Sequence, residues 1–228
     1  MSIAGDLRFA SHHDTMRAVE RLLSRAKLPV AFSQGFNPRP VLSLSVPRPV
    51  GVASQDDRVV LKLDAPLEPA HMLDALNRHA PEGMAFEAAC EIAARSLTPQ
   101  RVAYQARLAP QDALRVRQRI DKLQTQDTWP VERLVKSRRR RGRKKNDDSP
   151  RTKTLDLRPR IARLEIDGET LQFETICSSA AEARPVDILD LLGLPPRETL
   201  ARLVRRRITD DTTPPAKMPS GPDTGKVM

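Results

Sequence analysis

The side chains of this chain best suited to chemistry lie in two stretches, Ser11-His12-His13-Asp14 and Ser33-Gln-Gly-Phe-Asn-Pro-Arg-Pro40. Gln34, Asn37 and Arg39 are hydrogen-bond donors set among Gly35, Pro38 and Pro40, which narrow a loop's conformations and so lower the entropic cost of binding. Arg39 is able to grip a phosphate or carboxylate through two parallel N–H bonds. His12 and His13 stand at a helix start, whose positive end favours an anion and disfavours an imidazolium. With Arg8 and Arg17 close in sequence, an anion or partner pocket is expected where the helix start meets the loop. Its candidate residues are Ser11, His12, Asp14, Arg17, Ser33, Gln34, Gly35, Asn37, Pro38, Arg39 and Pro40. The competing reading is a structural turn packed on a helix cap, with Asp14 only capping. Neighbouring residues of a helix point about 100° apart, so His12 and His13 do not readily share one metal ion.

Other stretches carry weaker signals. Between Lys136 and Lys145, eight of ten residues are basic: Lys136, Arg138, Arg139, Arg140, Arg141, Arg143, Lys144 and Lys145. Like charges at that density repel, so a loop over 136–151 is expected, able to bind RNA by counterion release without reading its sequence. The alternative is a solvated insertion with no dedicated partner. Asp156 and Arg158, two residues apart, are read as sharing one face of a strand, as a weak ligand site or a surface ion pair. No Gly-rich phosphate loop, nucleophile elbow or paired-cysteine metal spacing occurs. Cys90 and Cys177 stand alone, each expected as a small buried hydrophobe, and cannot supply the cysteine trio of an iron–sulfur cluster.

Around these residues the composition bounds the class. The net charge is +10, which favours an anionic partner. No apolar run approaches a membrane span and no signal peptide precedes the first element, so a cytoplasmic protein is expected. Only seven residues are aromatic, so the core must be aliphatic, and 20 prolines leave part of the chain unpacked.

The elements that must position the candidate residues follow from periodicity. Ser11 caps a helix whose Met16, Val19, Leu23 and Ala26 recur at helical spacing until Pro29. Short strands are expected at 30–33, 42–46 and 58–63, a helix at 68–79, and an alternating strand from Met84 to Ile92. After a linker at 95–100 come a strand at 102–108, a helix at 110–124 and a strand at 129–135. Asp167-Gly168 marks a hairpin between 161–166 and 171–176. Pro185–Leu192 reads as a short helix, and Glu198–Arg207 as a basic one. The expected class is α+β, two ferredoxin-like βαββαβ units in tandem, the first with a short or missing first strand. The units span 1–94 and 101–208, followed by a disordered tail over 209–228.

Gly5-Asp-Leu-Arg-Phe9, Ser11-His-His-Asp14, Met16-Arg17 and Ser33–Pro40 together resemble the radical-SAM-linked protein family, a bacterial domain of unknown function. Pro49-Val-Gly-Val-Ala-Ser54, Leu155-Asp-Leu-Arg-Pro159, Arg184-Pro185 and Leu189–Gly193 extend the resemblance over most of residues 5–208. The family is found fused to, or encoded beside, a radical SAM protein. The resemblance therefore implies an accessory, substrate-presenting role, with the iron–sulfur cluster and S-adenosylmethionine on that partner only and no cofactor on this chain. Three features depart from the family pattern. His13 stands where the family usually has Leu, the strand before Gly5 is shortened, as in a truncated start, and the basic run is longer than usual.

Overall fold

The computed structural model describes residues 1–92, 98–135, 151–177 and 182–210. Its class is α+β. In the first half, β1 (Ser2–Ile3) leads through a 3-10 turn (Gly5–Phe9) into α1 (His12–Ala26). There follow β2 (Leu42–Leu44), β3 (Ala53–Ser54), β4 (Val59–Leu61), α2 (Pro69–His79) and β5 (Met84–Ala85). The second half runs β6 (Pro99–Arg107), α3 (Pro110–Gln124), β7 (Pro130–Val135), β8 (Arg151–Asp156), β9 (Ile161–Asp167) and β10 (Thr170–Ile176). It closes with α4 (Pro185–Leu191), α5 (Pro196–Leu200) and β11 (Leu203–Asp210). α2, α3, α4 and α5 each open on proline, whose fixed φ and missing N–H suit the first helical position.

Seven strands form one sheet in the order β5-β1-β3-β11-β6-β10-β9. Every neighbouring pair is antiparallel except β3 and β11, which run parallel where Val204 meets Ala53 and Arg205 meets Ser54. The strands expected to build two units thus share one continuous sheet, joined at β3–β11. Beside it lie two small ladders, β2–β4 and the β7–β8 hairpin. Apolar residues collect in two clusters. One packs Val19, Leu22 and Leu23 of α1 against Val30, Leu76 and Met84. The larger joins β6, α3, β9, β10, α4 and β11 around Leu157, Leu171, Phe173 and Ile188, and takes in Val52 from the first half.

Three expected elements differ. The strand expected at 30–33 is reduced to isolated bridges at Val30 and Phe32, because its two ends pair with different segments. The strand over Met84–Ile92 stops at Ala85, because the Asn77 side chain takes both the N–H and the carbonyl of Phe86, each at 2.8 Å, out of the ladder. The helix over Glu198–Arg207 is only one turn, and its basic residues continue as β11. There Leu203 and Ile208 are buried and the backbone pairs with β6 over its whole length. Intrinsic propensity yields to this tertiary pairing. Pro99 and Gln100, expected in a linker, begin β6, and Thr209 and Asp210, expected in the tail, end β11. The rest of the tail lies outside the described residues. No helix among the described residues is long and apolar enough to cross a membrane.

Candidate functional site

Ser33–Pro40 forms the tip of a hairpin. Val30 pairs with Leu63, and Phe32 pairs with Pro40 across the stem. The Val41 N–H donates to Ala31 at 2.8 Å and the Ser33 N–H to Arg39 at 2.8 Å, while the Arg39 N–H donates to Ser33 Oγ at 3.0 Å. Ser33 therefore closes the turn from both its backbone and its side chain, which explains a serine at that place. Gly35 has φ of +131°, a region that L side chains rarely adopt, so the turn requires glycine there. Gln34, Asn37, Pro38 and Arg39 all face solvent and Pro40 is half-buried. Phe36 is fully exposed and Phe32 is 55% exposed.

Ser11 caps α1: its Oγ accepts the Asp14 N–H at 3.2 Å and donates to Asp14 Oδ2 at 2.7 Å. That hydroxyl bond holds the Asp14 carboxyl below its usual range. The structure does not bring this cap to the loop. Among the described residues no hydrogen bond or ion pair joins Ser11–Arg17 to Ser33–Pro40. Instead His12 and Thr15 line a small cleft with Leu44, Val46, Arg48 and Asp57, while His13, Asp14 and Arg17 face solvent. Arg8 is likewise engaged elsewhere, donating to the Ala201 carbonyl at 2.9 Å and lying over the Phe9 ring.

Behind the cleft sits a buried charge network that residue patterns do not reveal. Arg205, fully buried, donates to Asp57 Oδ1, to Ser54 Oγ at 3.3 Å and to the Val46 carbonyl at 3.1 Å. Arg48 donates to the Arg8 and Val52 carbonyls, each at 2.6 Å, with its Nε 3.7 Å from Asp57 Oδ2. Burial lowers the Arg48 guanidinium from its ordinary value and Arg205 pushes the same way, whereas Asp57 raises it. Two guanidiniums thus share one carboxylate where the halves of the chain meet. The sequence carries no signal for it, because Arg205 stands in the Arg205–Arg207 run, which reads as part of a basic helix.

Asp156 and Arg158 serve the chain itself. Asp156 Oδ1 accepts the Trp129 N–H at 2.8 Å and the Arg158 N–H at 3.1 Å. Arg158 leaves the strand for a 3-10 turn, donates to the Gln126 carbonyl and lies 5.7 Å from the Trp129 ring centre. The two therefore do not share a strand face, and no ion pair joins them among the described residues. The basic run Lys136–Lys145 lies outside the described residues. Cys90, expected to be buried, is exposed; Cys177 is half-buried, and burial pushes its thiol up to about 11. Among the described residues no group of three His, Cys, Asp or Glu is placed to hold a metal ion.

A family model described as an uncharacterized protein conserved in bacteria, DUF2344, matches residues 2–185. The chain belongs to the DUF2344 family. The DUF2344 match takes in the hairpin tip, the α1 cap and the Arg48–Asp57 part of the buried network, and ends as α4 begins. No curated protein matches the chain. The tip's exposed aromatic is what sequence reasoning overlooked in this DUF2344 chain. A phenylalanine between Gly35 and Asn37, inside a turn, is the pattern that flags it.

Proposed function

We propose that this protein is a cytoplasmic accessory partner of a radical SAM protein, and that it binds or presents a substrate through the Ser33–Pro40 tip. The observation that carries this reading is the tip's shape. Bond-making centres are concave and exclude water, so that charges act in a low dielectric. This tip is convex, its polar side chains face solvent, and its backbone bonds hold it ready to meet another surface. The resemblance to the radical-SAM-linked family supplies the kind of partner, with the cluster and S-adenosylmethionine on that partner. Mixing this protein with the radical SAM protein of the same bacterium at micromolar concentration tests the association, and we expect co-elution. Separate elution counts decisively against the reading.

A second reading is RNA binding through the basic run in tRNA or rRNA modification or processing. It is favoured by the β7–β8 ladder, whose pairing from Pro130–Asp156 to Val135–Arg151 presents the segment that carries the run between two paired strands. Deleting 136–145 then abolishes RNA crosslinking in cells, and unchanged crosslinking removes this reading. For the fold, we infer two ferredoxin-like units merged edge to edge. The order β11-β6-β10-β9 with its intervening helices supports this in the second half, and β5-β1-β3 supports it in the first.

A further inference from the structure

We infer that the Ser33–Pro40 tip takes an unpaired nucleotide of a single-stranded nucleic acid, with the base stacked on Phe36 and a phosphate held by Arg39. This deepens the binding role proposed above by naming the class of substrate, and it rests on that role. Phe36 is fully exposed at the end of a hairpin whose stem carries a second exposed ring, Phe32. An aromatic face costs water contact unless something stacks on it, and every base has a π-face to offer. The backbone that carries the ring is held in place. Backbone bonds from Ser33 to Arg39 and from Val41 to Ala31 close the turn, and Pro38 and Pro40 stiffen one arm. Little conformational entropy remains to be lost when a ligand binds.

The surroundings of the ring select the ligand. From Lys27 to Gln55 the chain contains no Asp or Glu, while Lys27 and Arg39, both exposed, fall in the same stretch. Lys62, exposed, donates its N–H to Val41 and so adds a cation beside the stem. Asp64 is bonded at the base of the hairpin, beside Pro29. A phosphate backbone therefore approaches the tip without meeting an acid in it. Gln34 and Asn37 flank the ring with exposed amides, each able to donate to and accept from a base edge or a sugar hydroxyl. A protein-docking anchor, in contrast, works when neighbouring side chains ring it and exclude water. The neighbours of Phe36, Gly35 and Asn37, supply no such rim.

The test uses the full chain and a labelled 12-nucleotide single-stranded RNA, the DNA of the same sequence, and the RNA as a duplex. Fluorescence anisotropy is read across a salt series, because contacts made by the basic run weaken steeply with salt whereas stacking does not. The wild type is expected to prefer a single strand to the duplex, the RNA and DNA arms showing which sugar it accepts. Phe36→Ala weakens single-strand binding by about fivefold or more, the lower end for loss of one base–aromatic stack, with the salt slope unchanged; Phe36→Tyr restores it. Arg39→Gln lowers the slope by about 0.7, one phosphate on a single strand. Equal affinity of wild type and Phe36→Ala, or equal affinity for duplex and single strand, overturns the inference. If Phe36→Ala instead abolishes co-elution with the radical SAM protein and leaves nucleic-acid binding intact, the tip is a protein anchor: the inference falls and the accessory role stands. If Phe36→Ala changes neither readout, the inference falls, and the accessory role is decided by the co-elution of the wild type alone.

Discussion

Asp57 answers two buried guanidiniums at once, and its own carboxylate is buried with them. Removing one member of such a set leaves uncompensated charge in the interior, which costs about 3–5 kcal/mol. Asp57→Ala is therefore expected to lower the urea midpoint by that equivalent, and a change below about 1 kcal/mol would show that water relieves the site. Nothing in the spacing of Asp57 and Arg205 reveals their pairing, since 148 residues separate them. Turn chemistry was more legible: Gly35, Asn37, Pro38 and Pro40 do build a tight tip, because their backbone limits are local. What the local signals could not say was which side chains the tip would leave in water. The thiols differ at this scale as well. Cys90 is exposed, whereas burial raises the Cys177 thiol to about 11, so little of it is thiolate at neutral pH. At pH 8 a disulfide reagent should modify one cysteine per chain quickly, and Cys90→Ser should remove that fast phase.

At the scale of elements, two contacts hold segments that propensity alone leaves loose. Ala4 donates its N–H to the Gly83 carbonyl at 2.8 Å, tying β1 to the turn before β5. Gly83 has φ of +81°, and a Cβ there would stand 2.5 Å from the Ala4 carbonyl oxygen. Gly83→Ala combines left-handed strain with a backbone clash and should cost at least about 1–2 kcal/mol, measured by urea unfolding. At the other end Asp187 opens α4, bonded by Arg184 and by Arg133 from β7. Burial acts to raise the Asp187 carboxyl, but the bonds from Arg184 and Arg133 outweigh it and leave it below the ordinary range. A depressed carboxyl contributes stability above its unfolded pKa of about 4, and that contribution disappears as pH falls through the folded value. Urea midpoints of the wild type should therefore drop below about pH 4 more steeply than those of Asp187→Asn, and parallel curves would exclude this linkage. Pro185 and Asp187 are readable as a helix entry, and the helix forms there. The long alternation from Met84 to Ile92 misleads, because Asn77 on α2 captures Phe86 and alternation carries no information about that neighbour.

For the whole molecule, the sheet crosses from one half to the other through β3 and β11, and the Arg205–Asp57 network lies on that seam. The halves should then lose structure together. Fluorescence of Trp129, the sole tryptophan, reports the second half and far-ultraviolet circular dichroism reports both. Their urea transitions are expected to coincide in the wild type, and two separated midpoints would show that each half stands alone. The α+β class was legible because helix and strand periods differ, but the seam was not. Its parallel contact spans only two residue pairs, and the strand that makes it reads as a basic helix. The place of β11 in the interior of the sheet also governs synthesis. β3 leaves the ribosome about 150 residues before its neighbour, which is roughly 8–30 s at ordinary elongation rates. Through that interval β3, joined about 45 residues later by β6, shows a bare edge to the cell, so the newborn chain depends on swift completion or on chaperone cover before β11 slides between them.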